Sequence, residues 1–396
     1  MTQIRVKLQT VTPMFMAGAE PRGEPELRPP AFRGAMRYWL RAGLGGVIGD
    51  QDTQSLYKLE SQVFGSAADG DSTASAVNVR LSWEVQPKAL KFQKQPTERI
   101  QRNGEFKNQP SGRDYLYWSM SESRRDANDW KQYFPTESKF DLILSSRLGT
   151  NAEDAFTKAV AALWLLIQLG GVGSRSHRTA GSISVSSPIE FTGLQFALNA
   201  TNVSEASSNL ATGLKQVRAL MSNLENGMVG IPSEFDVLHP KACQIWVLGI
   251  WGTSDTAVTA IGKAMRDFRS YAEPDHKGVA KWLNGQKIET VKRSVFGLPL
   301  QFRYSNGGPS GVVQGHLEKP ALERRSSPLW LKVSRTVEGK FVGVATLFDS
   351  RFLPDGETLN VRKAGVPPIP PPNDYRLIRQ WITEKFASTV LEVSYA

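Results

Sequence analysis

The chain has 396 residues, 40% hydrophobic and 22% charged. That usage excludes a disordered or fibrous protein and leaves room for two domains with proper cores. A formal net charge of +10 favours polyanionic partners, nucleic acid before anionic membrane surfaces. A single cysteine, Cys243, excludes an internal disulfide framework and points to a reducing, cytoplasmic setting.

At the N-terminus, Gln3–Val11 alternates Ile4, Val6, Leu8 and Thr10 against Arg5, Lys7 and Gln9, which predicts a strand with one buried face. It carries no signal-peptide apolar core. A Pro- and Gly-rich loop follows, and Pro29–Pro30 open a helix over about Ala31–Leu44. Arg33, Arg37 and Arg41 recur every four residues and share one face of it. No acid lies between Phe32 and Gly49, so the face reads as a stripe for backbone phosphates, or else as a solvated basic face. Leu56–Phe64 is a second helix and Val77–Trp83 a strand. From Lys88 to Phe134 basic residues, Arg124 and Arg125 among them, interleave with Phe92, Phe106, Tyr115, Tyr117 and Trp118. That mixture suits single-stranded nucleic acid, where rings stack on bases and cations meet phosphates; a solvated insertion with a satellite core fits equally.

A strand around Phe140–Leu144 precedes a helix capped by Asn151 and running to Leu169. Its most apolar part, Ala159–Leu169, is too short to span a bilayer and reads as a core helix. The loop GGVGSRSHRTAGS, Gly170–Ser182, comes next. Its glycines permit a nest of backbone N–H groups, and Arg175 and Arg178 add two-pronged phosphate ligands. The loop leaves the negative end of its helix, so a plain glycine stop with basic residues at the C-terminus is the competing reading. Ser182–Ile189 closes the first half as a strand. Strand, helix, strand, strand, helix, strand is the ferredoxin-like order, shared by RNA-recognition modules.

The second half repeats the theme. Leu210–Leu224 is helical by pattern, Cys243–Trp251 a strand, Thr256–Tyr271 a helix and Phe296–Tyr304 a strand. Gly307–Gly315 reads as mobile, Leu329–Val337 and Phe341–Phe348 as a hairpin, Val366–Pro372 as polyproline, and Tyr375–Phe386 as a closing helix. The expectation is α+β: two tandem ferredoxin-like domains, residues 1–192 and 193–396, with a basic and aromatic insertion at about 86–136.

Several pieces together resemble the RAMP superfamily: TPMFMAGA at Thr12–Ala19, ELRPPAFRGAMRYWLRA at Glu26–Ala42, LESQVFGSA at Leu59–Ala67, the glycine loop, and RRSSPLWLKV at Arg324–Val333. With FGLP at Phe296–Pro299 they are most similar to the first-numbered RAMP subunits of the type III-B CRISPR (Cmr) effector. The resemblance implies a cytoplasmic RNA-binding subunit of an RNA-guided ribonucleoprotein in antiviral defence. Such a subunit contacts guide (CRISPR) RNA, target RNA and neighbouring RAMP subunits of the Cmr complex near the guide 3′ end, with no cofactor, metal or membrane. Carried over by motif, the implied RNA-binding residues are Arg28, Arg33, Arg37, Arg41, Gly171, Gly173, Ser174, Arg175, Ser176, Arg178, Arg324 and Arg325.

A RAMP endonuclease is the alternative. The cutting RAMP subunits place an acid, typically Asp, after the first strand; here that loop offers Glu20, Glu24 and Glu26, and the first aspartate is Asp50. Processing enzymes of another branch use general acid–base chemistry, for which His177 is the natural candidate. Arg175 and Arg178 beside it oppose its protonated form. His239 and Cys243 are spaced for one helix face, but Pro240 lies between them, so they read as structural. No catalytic residue is assigned.

Overall fold

The structure is a computed structural model. It describes residues 2–395 except 22, 69–70, 103–104, 122–130, 150, 223–226, 270–273, 305–308, 317–323, 362 and 364. Arg124, Arg125, Leu224, Tyr271 and Gly307 therefore lie outside the described residues.

Strand β1 (Gln3–Thr10) buries Ile4, Val6 and Leu8 and leaves Arg5 and Lys7 to solvent, as its alternation requires. Helix α1 (Pro29–Ile48) starts on its two prolines. It is followed by α2 (Thr53–Phe64), β2 (Val77–Trp83), β3 (Lys139–Ser146), α3 (Ala152–Leu169) and β4 (Ile183–Val185). The sheet order is β4-β1-β3-β2, every pair antiparallel. Helix α4 (Val203–Met221) leads to the second half: β5 (Cys243–Trp251), α5 (Ser254–Arg269), β6 (Leu329–Arg335), β7 (Phe341–Phe348), α6 (Arg376–Lys385) and β8 (Leu391–Glu392). Its sheet runs β6-β7-β5-β8, again antiparallel. The first sheet thus takes its four strands in the order fourth-first-third-second, and the second in the order second-third-first-fourth, which is the same arrangement read from its other edge. Both halves connect strand-helix-strand-strand-helix-strand.

The second sheet is buried on both faces. Cys243, Ile245, Val247, Val342, Val344 and Phe348 join α1, α3 and α4 in one core. Leu329, Leu331, Val333, Ala345 and Leu347 join α5 and α6 in another. The edges of the two sheets meet through side chains rather than a ladder. Val333 N–H donates to Ser182 Oγ at 3.3 Å, Arg335 N–H to Ser184 Oγ at 3.0 Å, and Lys332 Nζ to the Ile183 carbonyl at 2.9 Å. Burial alone pushes the Lys332 ammonium down to about 7.

Four local expectations are corrected. Asn151 is left-handed at φ 68° and caps nothing with its side chain. The strand expected at Phe296–Tyr304 is a 3-10 turn, Lys292–Phe296, followed by a shorter strand, Leu300–Arg303. Ser310–His316, expected to fall largely in a mobile loop, is the central strand of a three-stranded sheet between Leu300–Arg303 and Thr358–Val361. Ser182–Ile189 narrows to β4, and Glu190–Phe191 then begins a separate small hairpin.

Described parts of the insertion pack on the rest of the chain. Its Phe92 and Tyr117 are buried and pack edge-on against Phe15. Its short helix, Gly112–Leu116, lies directly on α5.

Candidate nucleic-acid interface

The glycine loop threads between the halves. Gly170 closes α3, and Gly173 and Gly181 turn at φ 87° and 63°. At Gly181 a Cβ would stand 1.8 Å from the Val172 carbonyl oxygen, so only glycine fits. Ser174 N–H donates to the Phe15 carbonyl at 2.8 Å and Gly181 N–H to that of Pro13 at 2.9 Å, tying the loop to the segment after β1. Thr179 N–H donates to the Leu331 carbonyl on β6 at 2.9 Å, and the hydroxyls of Thr179 and Tyr117 sit 2.8 Å apart. Three elements of distant sequence thus hold one loop. Gly171 is buried within it, Gly173 and Ser174 are exposed, and Ser176 is half-buried.

His177 is stacked on Trp330, ring centroids 3.6 Å apart, and its Nδ1 lies 3.0 Å from the Ser327 carbonyl. A carbonyl only accepts, so the neutral ring carries its proton on Nδ1. Burial first, then the charges of Arg178 and Arg325, push its pKa down to about 3 against the opposing Ser327 bond. A base that weak does not take a proton from a 2′-hydroxyl near neutrality. The reading of His177 as a general base therefore loses its chemistry.

The two loop arginines part company. Arg175 turns to the insertion, its Nε donating to Ser119 Oγ at 3.0 Å and its guanidinium 5.6 Å above the Trp118 ring. Arg178 turns inward to the second half, donating to the Phe296 carbonyl at 2.5 Å and to Met265 Sδ at 3.2 Å.

On α1 the arginine stripe meets an acid that its own helix lacks. Glu60, buried on α2, accepts from Arg37 at 2.7 Å and from Arg41 at 2.9 Å. Arg37 also donates to the carbonyls of Phe64 and Gly65. Arg37 is thus fully committed to joining the two helices, while Arg41 keeps 41% of its side-chain surface. Arg33 is half-buried with its Nε sealed and unbonded. Arg28 precedes the helix, 3.9 Å from Glu26.

Arg41 and Arg325 meet across a cavity of about 440 Å³, lined also by Tyr38, Asp236, Arg351 and Phe352. Here the first-half helix and the second-half basic motif come together. Arg325 donates to the Phe352 carbonyl at 2.9 Å, and Arg351 bonds Glu234 at 2.6 Å. Asp236 organises the wall, accepting from Tyr38 at 2.7 Å and from Ser350 at 2.5 Å. Burial, then the Asp236 charge, hold the Tyr38 phenol well above its ordinary value, so it stays a donor. Arg324 is exposed beside this cavity motif. Because Trp330 stacks on His177 and also donates to the Tyr38 hydroxyl at 2.9 Å, cavity and glycine loop adjoin one another.

Glu20, Glu24 and Glu26 are exposed and line another cavity of about 590 Å³ with Trp83 and Phe134. His239 and Cys243 sit in a turn and at the start of β5, not on a helix. No group of three or more metal-type ligands occurs among the described residues, and none of their helices is long and apolar enough to cross a membrane. Sequence reasoning missed Glu60, Asp236, Arg351 and the stacking role of Trp330. Each reaches the site by tertiary packing and carries no local motif.

A family model of the RAMP superfamily matches residues 7–184. Over 355 residues the chain is 28% identical to the CRISPR system Cmr subunit Cmr1-1 of Pyrococcus furiosus, covering 88% of each chain. To Cmr subunit Cmr1-2 of the same organism it is 34% identical over 188 residues, 45% of this chain and 92% of that one. The apo crystal structure of Cmr1 from Pyrococcus furiosus superposes with a TM-score of 0.60 at 21% identity, covering 99% of both chains. A chain of the cryo-EM type III-B Cmr-beta complex bound to cognate target RNA gives 0.52 at 14% identity, over 97% of this chain and 98% of that one. These two structural likenesses speak for the fold, and the sequence matches speak for kinship: the chain belongs to the Cmr1 family of the RAMP superfamily.

Proposed function

We propose that this protein is an RNA-binding subunit of a type III-B CRISPR effector complex. It contacts guide RNA, target RNA or both near the guide 3′ end, and neighbouring RAMP subunits, without cutting RNA itself. The observation that carries this is the meeting of Arg41 and Arg325 across one cavity that adjoins the glycine loop. Arginines from both halves thereby line one cavity together with Glu234, Asp236 and Asp355, and a phosphate backbone would meet the guanidinium surface those carboxylates leave open. The two matching sheet orders support two tandem ferredoxin-like domains, 1–192 and 193–396, the reading that the family resemblance implies. Cytoplasmic assembly follows from the same reading.

The test is a titration of labelled single-stranded RNA on wild type and on Arg41→Glu/Arg324→Glu at two salt concentrations, with the RNA inspected for cutting with and without Mg²⁺. Both positions retain exposed surface and Arg37 still pairs with Glu60, which Arg41→Glu would otherwise face as a like charge, so an unchanged melting temperature is required of the variant before its binding is read. Weaker, salt-sensitive binding of intact RNA is expected. For single strands the slope of log affinity against log salt is about −0.7 per phosphate neutralised. Binding that is unchanged by the double reversal sinks the cavity rim, Arg41 within it and Arg324 beside it, as an RNA contact. Mg²⁺-dependent cutting that disappears in Glu20→Ala/Glu24→Ala replaces the reading with the endonuclease.

A further inference from the structure

Arg178 and Arg269 converge on Phe296 from opposite halves of the chain. Arg178 bonds the Phe296 carbonyl and the Met265 sulfur. Arg269 lies one helical turn beyond Met265 on α5, its guanidinium 5.0 Å above the Phe296 ring and its Nε sealed from solvent without a partner. Arg175 stands alongside, held to Ser119 and over Trp118.

A carbonyl and a thioether are poor counterparts for guanidinium groups, which pair best with carboxylates and phosphates. Among the described residues no carboxylate forms an ion pair with Arg175, Arg178 or Arg269, whereas neighbouring Arg293 has Asp275 at 3.7 Å. Burial first, and then Arg269 foremost among the neighbouring charges, lower Arg175 to about 10 and Arg178 to about 9. Arg175 and Arg178 stay charged at neutral pH. Cations crowded in a partly closed site repel one another unless an anion joins them. Trp118 rises beside them with 60% of its surface exposed.

We propose that Arg175, Arg178 and Arg269 form a binding site for one phosphodiester of single-stranded RNA, with the adjoining base stacked on Trp118. This deepens the RNA-binding reading above and rests on it. The exposed ring favours a polynucleotide over free phosphate, because stacking needs a base next to the bound charge. The insertion thereby takes part in binding, since it supplies Ser119 to fix Arg175 and Trp118 to hold the base.

The experiment compares the full chain with Arg269→Gln and Trp118→Ala, titrating a fluorescein-labelled single-stranded RNA at two salt concentrations. Melting temperature is followed in parallel with and without inorganic pyrophosphate. Arg269→Gln is expected to bind about tenfold more weakly, with a salt slope shallower by about 0.7, the mark of one lost phosphate contact. Trp118→Ala is expected to lose about tenfold with its salt slope unchanged. Pyrophosphate is expected to raise the melting temperature of wild type and not that of Arg269→Gln. Without anion, Arg269→Gln is expected to melt no lower than wild type, since a like charge has gone. Trp118 is exposed, so its variant decides the matter even if Arg269→Gln folds poorly. Wild-type RNA affinity in both variants overturns this site while leaving RNA binding elsewhere on the chain intact. A wild-type chain that does not bind RNA overturns the parent reading and this site with it.

Discussion

Arg37 and Arg41 look equivalent on a helical wheel, yet they hang on Glu60 differently. Arg37 pairs with its carboxylate and also satisfies two carbonyls at the end of α2. Arg41 makes the carboxylate contact alone and keeps 41% of its side-chain surface in solvent. Removing Arg37 strands buried acceptors, so Arg37→Ala is expected to cost about 2 kcal/mol in denaturant unfolding, and Arg41→Ala less than about 1 kcal/mol. Equal costs would show that the shared carboxylate, and not the carbonyl contacts, sets the stability. A second residue-scale consequence concerns protons. The pKa of His177 is depressed to about 3 in the folded chain against 6.5 in the unfolded one. Between these values the unfolded state holds the extra proton, so stability rises with pH across this window and is lost as pH falls from 6.5 towards 3. Replacing the ring by phenylalanine keeps a stack on Trp330 and removes the titration. The gap between wild type and His177→Phe is expected to shift by on the order of 2 kcal/mol in favour of the variant between pH 7.5 and 4.5. An unchanged gap would mean that the ring is protonated in place.

The insertion is joined to α5 through a contact of two glycines. A Cβ at Gly262 would come within 2.0 Å of the Gly112 carbonyl oxygen, and one at Gly112 within 2.0 Å of that of Thr259. Gly262→Ala is expected to lift helix Gly112–Leu116 from α5 while the sheets persist. Faster proteolysis confined to residues 86–136 would show it, and an unchanged digestion pattern would count against this joint. Nothing in the sequence around Gly112 announces the contact, because its partner lies about 150 residues away along the chain. The regular elements are far more legible. The strands Val77–Trp83, Cys243–Trp251 and Phe341–Phe348 are bounded as their side-chain alternation or apolar run implies, since burial of a face writes itself into local periodicity. Ser310–His316 escapes a reading from sequence because Gly311 and Gly315 suggest a loop, while one of its pairing partners, Thr358–Val361, comes from a distant part of the chain. The glycine loop is legible as a motif. That Arg175 faces the insertion and Arg178 the second half is not, since Ser119, Met265 and Phe296 decide it.

At the scale of the whole molecule, the two sheets form a single folded unit rather than two units on a linker. Strands β5 and β7 complete the core of the first-half helices, and Ser182, Ser184 and Lys332 bridge the sheet edges. A chain built this way is expected to unfold in one cooperative thermal transition, with probes in either half coincident. Two resolved transitions would overturn the shared core. Lys332 is the weak point of that seam. Its ammonium titrates near 7 when folded and near 10.5 when unfolded, so the unfolded state holds the extra proton between these values. Stability therefore rises with pH from about 7 to 10.5, and below that window the full penalty of the buried amine persists. Lys332→Met fills the same space without a charge but leaves the Ile183 carbonyl without this bond. It is expected to gain on the order of 2 kcal/mol at pH 7, the desolvation relieved outweighing one hydrogen bond lost. The gain should shrink as pH approaches 10.5, where the amine is neutral in the fold and losing its proton in the unfolded chain. A variant that is less stable than wild type at pH 7 would show instead that the lysine is charged in the seam and held there by its carbonyl, joining the halves rather than straining them.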